Sequence, residues 1–222
     1  MRIVDRLRRA LSAAALVACS VALPAHAAGF DLDELTALLA RVRSGEATFV
    51  ERREVSVLDR TVMTSGRLSF QAPDTFVREN LKPLAEKVAV VGDTVTMSRG
   101  GRSRTVTLDS VPEAAVIIEA IRGTLTGNRD ALRKLFETRV GGDAKAWTLD
   151  LVPRDVKLRA QVSTIRVSGR QSQVREVLIT LPDGDKTTMT IEPTSAPTSA
   201  PAGAASGASS GAVSAAASGA AR

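Results

Sequence analysis

The sequence is poor in the residues that carry most enzymatic chemistry. It holds one cysteine, one histidine, one tryptophan and no tyrosine, and both Cys19 and His26 fall within the first 27 residues. Those residues read as a secretory signal. Arg2, Arg6, Arg8 and Arg9 precede an apolar run from Ala10 to Leu23, and Ala25-His26-Ala27 is a small-x-small cleavage site. With cleavage after Ala27 the mature chain has no disulfide, thiol nucleophile, imidazole base or His/Cys metal site, which excludes Ser-His triads, cysteine hydrolases, zinc enzymes and haem proteins together. Carboxylates are scattered along alternating segments, as on solvated faces, and no Gly-rich phosphate loop occurs. The chain therefore reads as a non-enzyme that needs no cofactor.

One pattern competes with that cleavage site. Leu16-Val17-Ala18-Cys19 fits the sequence cut in bacterial lipoproteins, where the cysteine carries the lipid. The apolar run continues past Cys19 to the Ala-x-Ala site, which favours soluble export, with a lipid-anchored chain retaining Cys19 as the alternative.

Large apolar side chains are missing at the other end. Residues 193–222 are almost entirely Ala, Ser, Gly, Thr and Pro, with nothing apolar larger than Val213, so they bury too little surface to offset their ordering entropy. A disordered tail or spacer is expected there. Clustered positive charge is missing too. Setting aside Arg2, Arg6, Arg8, Arg9 and Arg222, and Asp5, leaves 25 basic and 23 acidic groups of the chain's 30 and 24. Nucleic acid, which needs clustered cations and stacking aromatics, is not an expected partner.

What remains, residues 28–192, is rich in short alternating segments. Gly66 to Asn80 is the densest: Leu68, Phe70 and Ala72 share one face, Pro73-Asp74 breaks the run, and a second strand begins at Thr75. Strands are expected over Phe49–Leu58, Thr61–Ala72, Thr75–Leu81, Lys87–Val91, Thr94–Ser98 and Arg102–Leu108, with Gly92-Asp93 and Gly100-Gly101 as turns. More follow over Lys145–Val152, Gln161–Val167, Val174–Leu181 and Lys186–Ile191. About ten strands exceed what one flat layer holds, so a strongly curved antiparallel sheet is expected, α+β but mainly β. Arg99, Arg102 and Arg104 crowd one hairpin, as a solvated tip or as a basic finger for an acidic partner.

Three helices punctuate the strands. Asp31 caps the first, with Leu32, Leu35, Leu38, Leu39 and Val42 at helical spacing up to Ser44-Gly45. Ser110-x-x-Glu113 is a capping-box pattern with Pro112 in the first turn, followed by Val116, Ile117, Ile118, Ile121 and Leu125 before Gly127. Asn128 caps a shorter helix with Leu132, Leu135 and Phe136 on one face. Apolar helices placed mid-sheet are natural covers for its concave face.

The ordered set resembles a known family. An amphipathic first helix, Phe49, G-x-L-x-F-x-x-P-x-x-F (Gly66, Leu68, Phe70, Pro73, Phe76), Pro83, Val90 to Val95 as V-V-G-D-x-V, Trp147 to Pro153 as W-x-L-x-L-x-P, and a closing Asp183-Gly184 hairpin with Met189 look like the LolA-like outer-membrane lipoprotein carriers, nearer the LolA-related branch. The resemblance implies an unclosed β-barrel around a hydrophobic cavity with a helical lid. It also implies acylated cargo, lipoprotein or lipid, carried across the periplasm as a monomer between an inner-membrane donor and an outer-membrane acceptor. A periplasmic lipid sensor or protein-binding scaffold is the alternative. The main carriers place a lid-holding arginine just before the proline where this chain has Ala72, so that lock is absent or moved. Acyl chains are held by apolar area, about 0.8 kcal/mol per buried CH2. The expected cavity residues are Leu68, Phe70, Phe76, Trp147, Leu149, Leu151 and Ile179 from the sheet, with Ile117, Ile118 and Ile121 from the lid.

Overall fold

A computed structural model describes residues 30–55, 60–194 and 198–199. The signal at 1–27 and most of the tail lie outside the described residues. Eleven strands follow one hydrogen-bonded path, and every pairing is antiparallel. The first half is a meander of β1 (Val42–Val55), β2 (Arg60–Gln71), β3 (Thr75–Lys82), β4 (Glu86–Val91), β5 (Thr94–Arg99) and β6 (Arg102–Thr107). The second is a meander of β7 (Phe136–Asp143), β8 (Ala146–Pro153), β9 (Thr164–Arg170), β10 (Gln173–Thr180) and β11 (Lys186–Pro193). β11 pairs with β1, so the chain's first and last long strands meet in the middle while β6 and β7 are left at opposite edges. The sheet is not closed.

Because the edges are β6 and β7, the segment joining them has to travel from one side of the sheet to the other. It does so as a 3-10 turn (Leu108–Ser110), α2 (Pro112–Leu125) and α3 (Arg129–Leu135), with α1 (Leu32–Leu39) packed against α2, α3 and β7. A short α4 (Val156–Arg159) joins β8 to β9. Asp31 caps α1, its carboxylate accepting from the Asp33 and Glu34 amides at 2.9 and 3.0 Å. Leu32, Leu35 and Leu39 are buried on one side.

The sheet carries two separate cores. The larger joins Leu32, Leu35 and Leu39 of α1, Val116 and Ala120 of α2, Leu132 of α3 and the inner face of β8 to β10. The smaller is Val90, Val95 and Leu108, with Phe76, Val88, Met97, Val106, Ala115 and Ile118 against it. α2 touches both, turning Ile117 to the larger and Ile118 to the smaller.

Several elements differ from the sequence reading. α1 stops at Leu39 and Val42 opens β1, because the ladder with β2 runs back to the Ser44–Gln71 pair and draws Ser44 and Gly45 into the sheet. Phe136 is the first residue of β7, not the end of α3, and is 2% exposed. β7 itself was not expected: Gly141 and Gly142 and its charged residues dilute the strand pattern. The Ser110 capping box does not form. Ser110 closes the 3-10 turn, its hydroxyl donating to the Thr107 carbonyl at 2.6 Å, and the N-cap of α2 is Val111 with no side-chain bond. The expected disordered boundary at 193 falls within paired backbone, since Pro193 ends β11, the Thr194 amide donates to the Glu46 carbonyl, and Thr198–Ser199 (β12) pairs with β1.

Gly66 is where β2 and β3 approach too closely for a side chain. The β2–β3 register shifts between Ser65 and Gly66, and a Cβ added at Gly66 would stand 1.9 Å from the Glu79 carbonyl oxygen. Gly45, by contrast, has nothing within 4 Å of its would-be Cβ. Gly66→Ala should lower stability by roughly 1–3 kcal/mol through overpacking, while Gly45→Ala changes it little, as read from urea unfolding midpoints of the two variants.

Candidate functional site

Between the two cores, beneath the helical cover, a cavity of about 430 Å³ opens. Its floor is the inner face of the central strands: Ala47 on β1, Leu68 and Phe70 on β2, Phe76 on β3, Val88 and Val90 on β4, Ile179 on β10, and Met189 and Ile191 on β11. Its roof is α2 through Ile117, Ile118, Ile121 and Leu125. These side chains share a surface because alternate residues of a strand point the same way and because cross-strand pairs keep the rows in line. Ala47 pairs with Leu68, Leu68 with Arg78, and Phe70 with Phe76. The Phe70 and Phe76 rings stack with centroids 5.2 Å apart. Most of this lining is half-buried, in contrast to the closed cores on either side.

The expected cavity residues divide cleanly. Leu68, Phe70, Phe76 and Ile179 line the floor, and Ile117, Ile118 and Ile121 line the roof. Trp147, Leu149 and Leu151 do not. At 1%, 0% and 0% exposure they lie in the larger core, where α1, α2 and α3 cover the face of β8. The Trp147 ring stands over Gly169, where an added Cβ would come within 2.4 Å of it, and its indole N–H donates to the Gln171 carbonyl at 2.8 Å. Val42, Ala47, Val88, Val90, Met189 and Ile191 also line the cavity and were not singled out from sequence. The available signal was β1: of its inner positions Gly45, Ala47, Phe49, Glu51 and Arg53, all but Phe49 are small or charged.

Five charged side chains enter the lining, Glu46, Glu51, Arg53, Arg78 and Glu113, and two of them pair. Arg78 on β3 meets Glu51 on β1 in a bidentate pair, Nη1 to Oε2 at 2.7 Å and Nη2 to Oε1 at 3.0 Å. Its Nε donates to Asn80 Oδ1 at 2.9 Å, and its guanidinium carbon lies 4.8 Å from the centre of the buried Phe49 ring. Gly66 occupies the β2 position between Phe49 and Asn80, where a side chain would stand between the two strands. A proton-affinity shift lies elsewhere. Asp150 raises the Arg166 guanidinium above its ordinary range, through a side-chain hydrogen bond first and charge second. Among the described residues no three His, Cys, Asp or Glu side chains gather to hold a metal ion.

With Ala72 where a lid-holding arginine was sought, the connection between α2 and the sheet is made from the helix itself. Arg122 Nη1 pairs with Glu119 at 2.7 Å and lies 3.6 Å from Asp93, while Nη2 donates to the Gly92 carbonyl. Gly92 and Asp93 form the β4–β5 turn, so one side chain fastens the roof to the rim of the smaller core.

An unclosed antiparallel sheet with a helix-roofed apolar cavity is an architecture with room to enclose an apolar or amphiphilic guest. The family comparison agrees with that architecture: residues 24–217 match the model described as outer membrane lipoprotein carrier protein LolA-like, and the chain belongs to this family. Among solved structures it is similar to a LolA superfamily protein from Nitrosomonas europaea (7% identity, 72% of this chain and 91% of that one, TM-score 0.39). It is also similar to LprF from Mycobacterium bovis (11%, 72% and 89%, 0.35). A third is a putative outer membrane lipoprotein-sorting protein domain from Vibrio parahaemolyticus (9%, 74% and 94%, 0.40). No protein of curated function matches significantly in sequence.

Arg122→Met should loosen the roof. Amide hydrogen exchange in α2 is expected to accelerate about tenfold or more as local opening becomes easier, with the β8 and β9 amides unchanged.

Proposed function

We propose that the protein is a periplasmic carrier that holds the acyl chains of a lipoprotein or lipid in this cavity and conveys them toward the outer membrane. The observation that carries the reading is the cavity itself: apolar on floor and roof, bounded by a core on each side, and covered by a helix fastened through one arginine. Its volume, about 430 Å³, falls in the range of small-molecule sites. Membership of a carrier family supports the same direction. The signal at 1–27 supports export, with a carrier domain that starts at 28 and runs through the end of β11, and the Ala/Ser/Gly-rich residues beyond it as an appended tail.

The physics of such a site is retention without chemistry. Each CH2 removed from water contributes about 0.8 kcal/mol, so a chain of modest length is held firmly with no hydrogen bond to its methylenes. Release follows when the roof lifts and wets the wall. No bond is made or broken, and nothing in the lining is asked to donate or accept a proton.

Native mass spectrometry of protein purified from the envelope, followed by organic extraction, tests this directly. A co-purifying acylated species is expected, together with uptake of a fluorescent fatty acid. Absence of both overturns the carrier reading, and a diacylated Cys19 in the mature protein overturns soluble carriage. Floor and core residues should separate in the same assay. Ile179→Gln should weaken fatty-acid uptake by about tenfold or more, since one lost apolar side chain is worth about 1.5–3 kcal/mol. Leu149→Ala should instead cost roughly 2–5 kcal/mol of stability and leave uptake by the folded protein nearly unchanged.

A further inference from the structure

We propose that Arg53 and Arg78 form a head-group site at one end of the cavity, taking the anionic head, phosphate or carboxylate, of an amphiphile whose chain lies along the apolar floor. The inference rests on the carrier reading and adds to it which end of the guest goes where.

Three of the five charged side chains on the lining gather in one stretch. Glu51 and Arg53 are alternate residues of β1, about 7 Å apart along one face of the strand, and Arg78 reaches Glu51 from β3. Arg53 faces the cavity, and its cross-strand neighbours on that face, Val62 and Thr187, are uncharged. Among the described residues its guanidinium has no ion pair or hydrogen bond. Arg78 is held in place but not used up. Glu51 and Asn80 engage its two terminal nitrogens and Nε, one N–H each, so one N–H remains on each terminal nitrogen. The Phe49 ring beneath fixes the plane of that group.

The charge balance points to an anion. Glu51, Arg53 and Arg78 together carry +1. Of the two other carboxylates on the lining, Glu46 is exposed and about 23 Å back along β1 from Arg53, and Glu113 is exposed on the first turn of the roof helix. From Arg53 the floor runs through Ala47 and Leu68 to Phe70 and Phe76, so an anionic head beside the two arginines leaves its chain on apolar surface. A guanidinium offers two N–H groups to a phosphate or carboxylate in one plane, and close to a low-dielectric wall that contact is worth more than at an open surface. Arg53 is itself exposed at the cavity mouth, and a cationic head in the same place would be repelled by it.

Isothermal calorimetry on the full chain with a matched twelve-carbon series decides the matter, using dodecyl phosphate, dodecanoate, dodecanol and dodecyltrimethylammonium. The wild type is expected to bind the two anions about tenfold or more tighter than dodecanol, and the cation more weakly than dodecanol. The order of phosphate and carboxylate tells which anionic head the site prefers. Arg53→Gln, and separately the double variant Glu51→Gln with Arg78→Gln, should each bring anions and alcohol to within about threefold while dodecanol affinity stays near wild type. The double variant removes both partners, so no charge is left alone in the floor, and Arg53→Gln carries the test by itself should the double variant not fold. Equal affinity for all heads in the wild type, or an anion preference that survives both sets of substitutions, overturns the head-group site and leaves the carrier reading standing. Failure of every twelve-carbon chain to bind overturns both.

Discussion

Everything in this molecule follows from one pairing, the antiparallel ladder between β1 and β11. It joins the first and last long strands in the middle of the sheet, so the free edges become β6 and β7 and the chain must cross from one to the other to connect them. Residues 108–135 make that crossing as helices, which places α2 over the sheet without any need for a separate lid domain. One helix cannot pack against the whole width it spans. It therefore meets the sheet along both flanks, on a large core and a small one, with the cavity between them. The cavity is what is left over by that geometry, and its walls are the central strands that define the topology.

Much of this was legible in the sequence, because strand alternation reports which face of a strand is apolar. The hairpins at Gly92-Asp93 and Gly100-Gly101, the cap at Asp31 and the apolar rows of Leu68-Phe70 and Trp147-Leu149-Leu151 are all local patterns, and the structure has each of them. What alternation does not encode is what lies above a face. Trp147 and Phe70 are both inward-facing aromatics, yet one is sealed beneath α1 to α3 and the other borders open space, a difference set by helices distant in sequence. The end of α1 was misread for a related reason: Val42 continues the helical spacing, but pairing of β1 with β2 outweighs a local periodic match. β7 escaped notice because its partner β8, not its own composition, makes it a strand.

The same contrast explains why the two kinds of apolar surface do different work. A core gains from close packing and loses stability when any methylene is removed, so its residues are fixed in place by their neighbours. The wall of a cavity keeps part of that surface unsatisfied. Here the half-buried state of Leu68, Phe70, Phe76, Ile117, Ile118 and Ile121 is such a surface, tolerable because the cores on both sides stabilise the scaffold independently of what the cavity holds. The two kinds of surface share the same strands and meet at residues such as Val90, which belongs to the smaller core and to the cavity floor.

The Glu51–Arg78 pair then poses a physical question, since charges set into an apolar floor are costly to desolvate and a hydrophobic pair of similar size is often at least as stable. Its geometry suggests what such a pair contributes beyond stability. Arg78 crosses the β2 position held by Gly66, lies on the Phe49 ring and is tied at three nitrogens, so its guanidinium has one orientation rather than many. A group ordered in the empty protein does not have to be ordered again when a guest arrives, and that saving favours the guest whose head matches it. An apolar trough alone would accept a chain in either direction. On the proposed reading, a fixed cation with a second one beside it, without an ion pair among the described residues, would give the trough a polarity and let a guest with one anionic end lie in it in one sense.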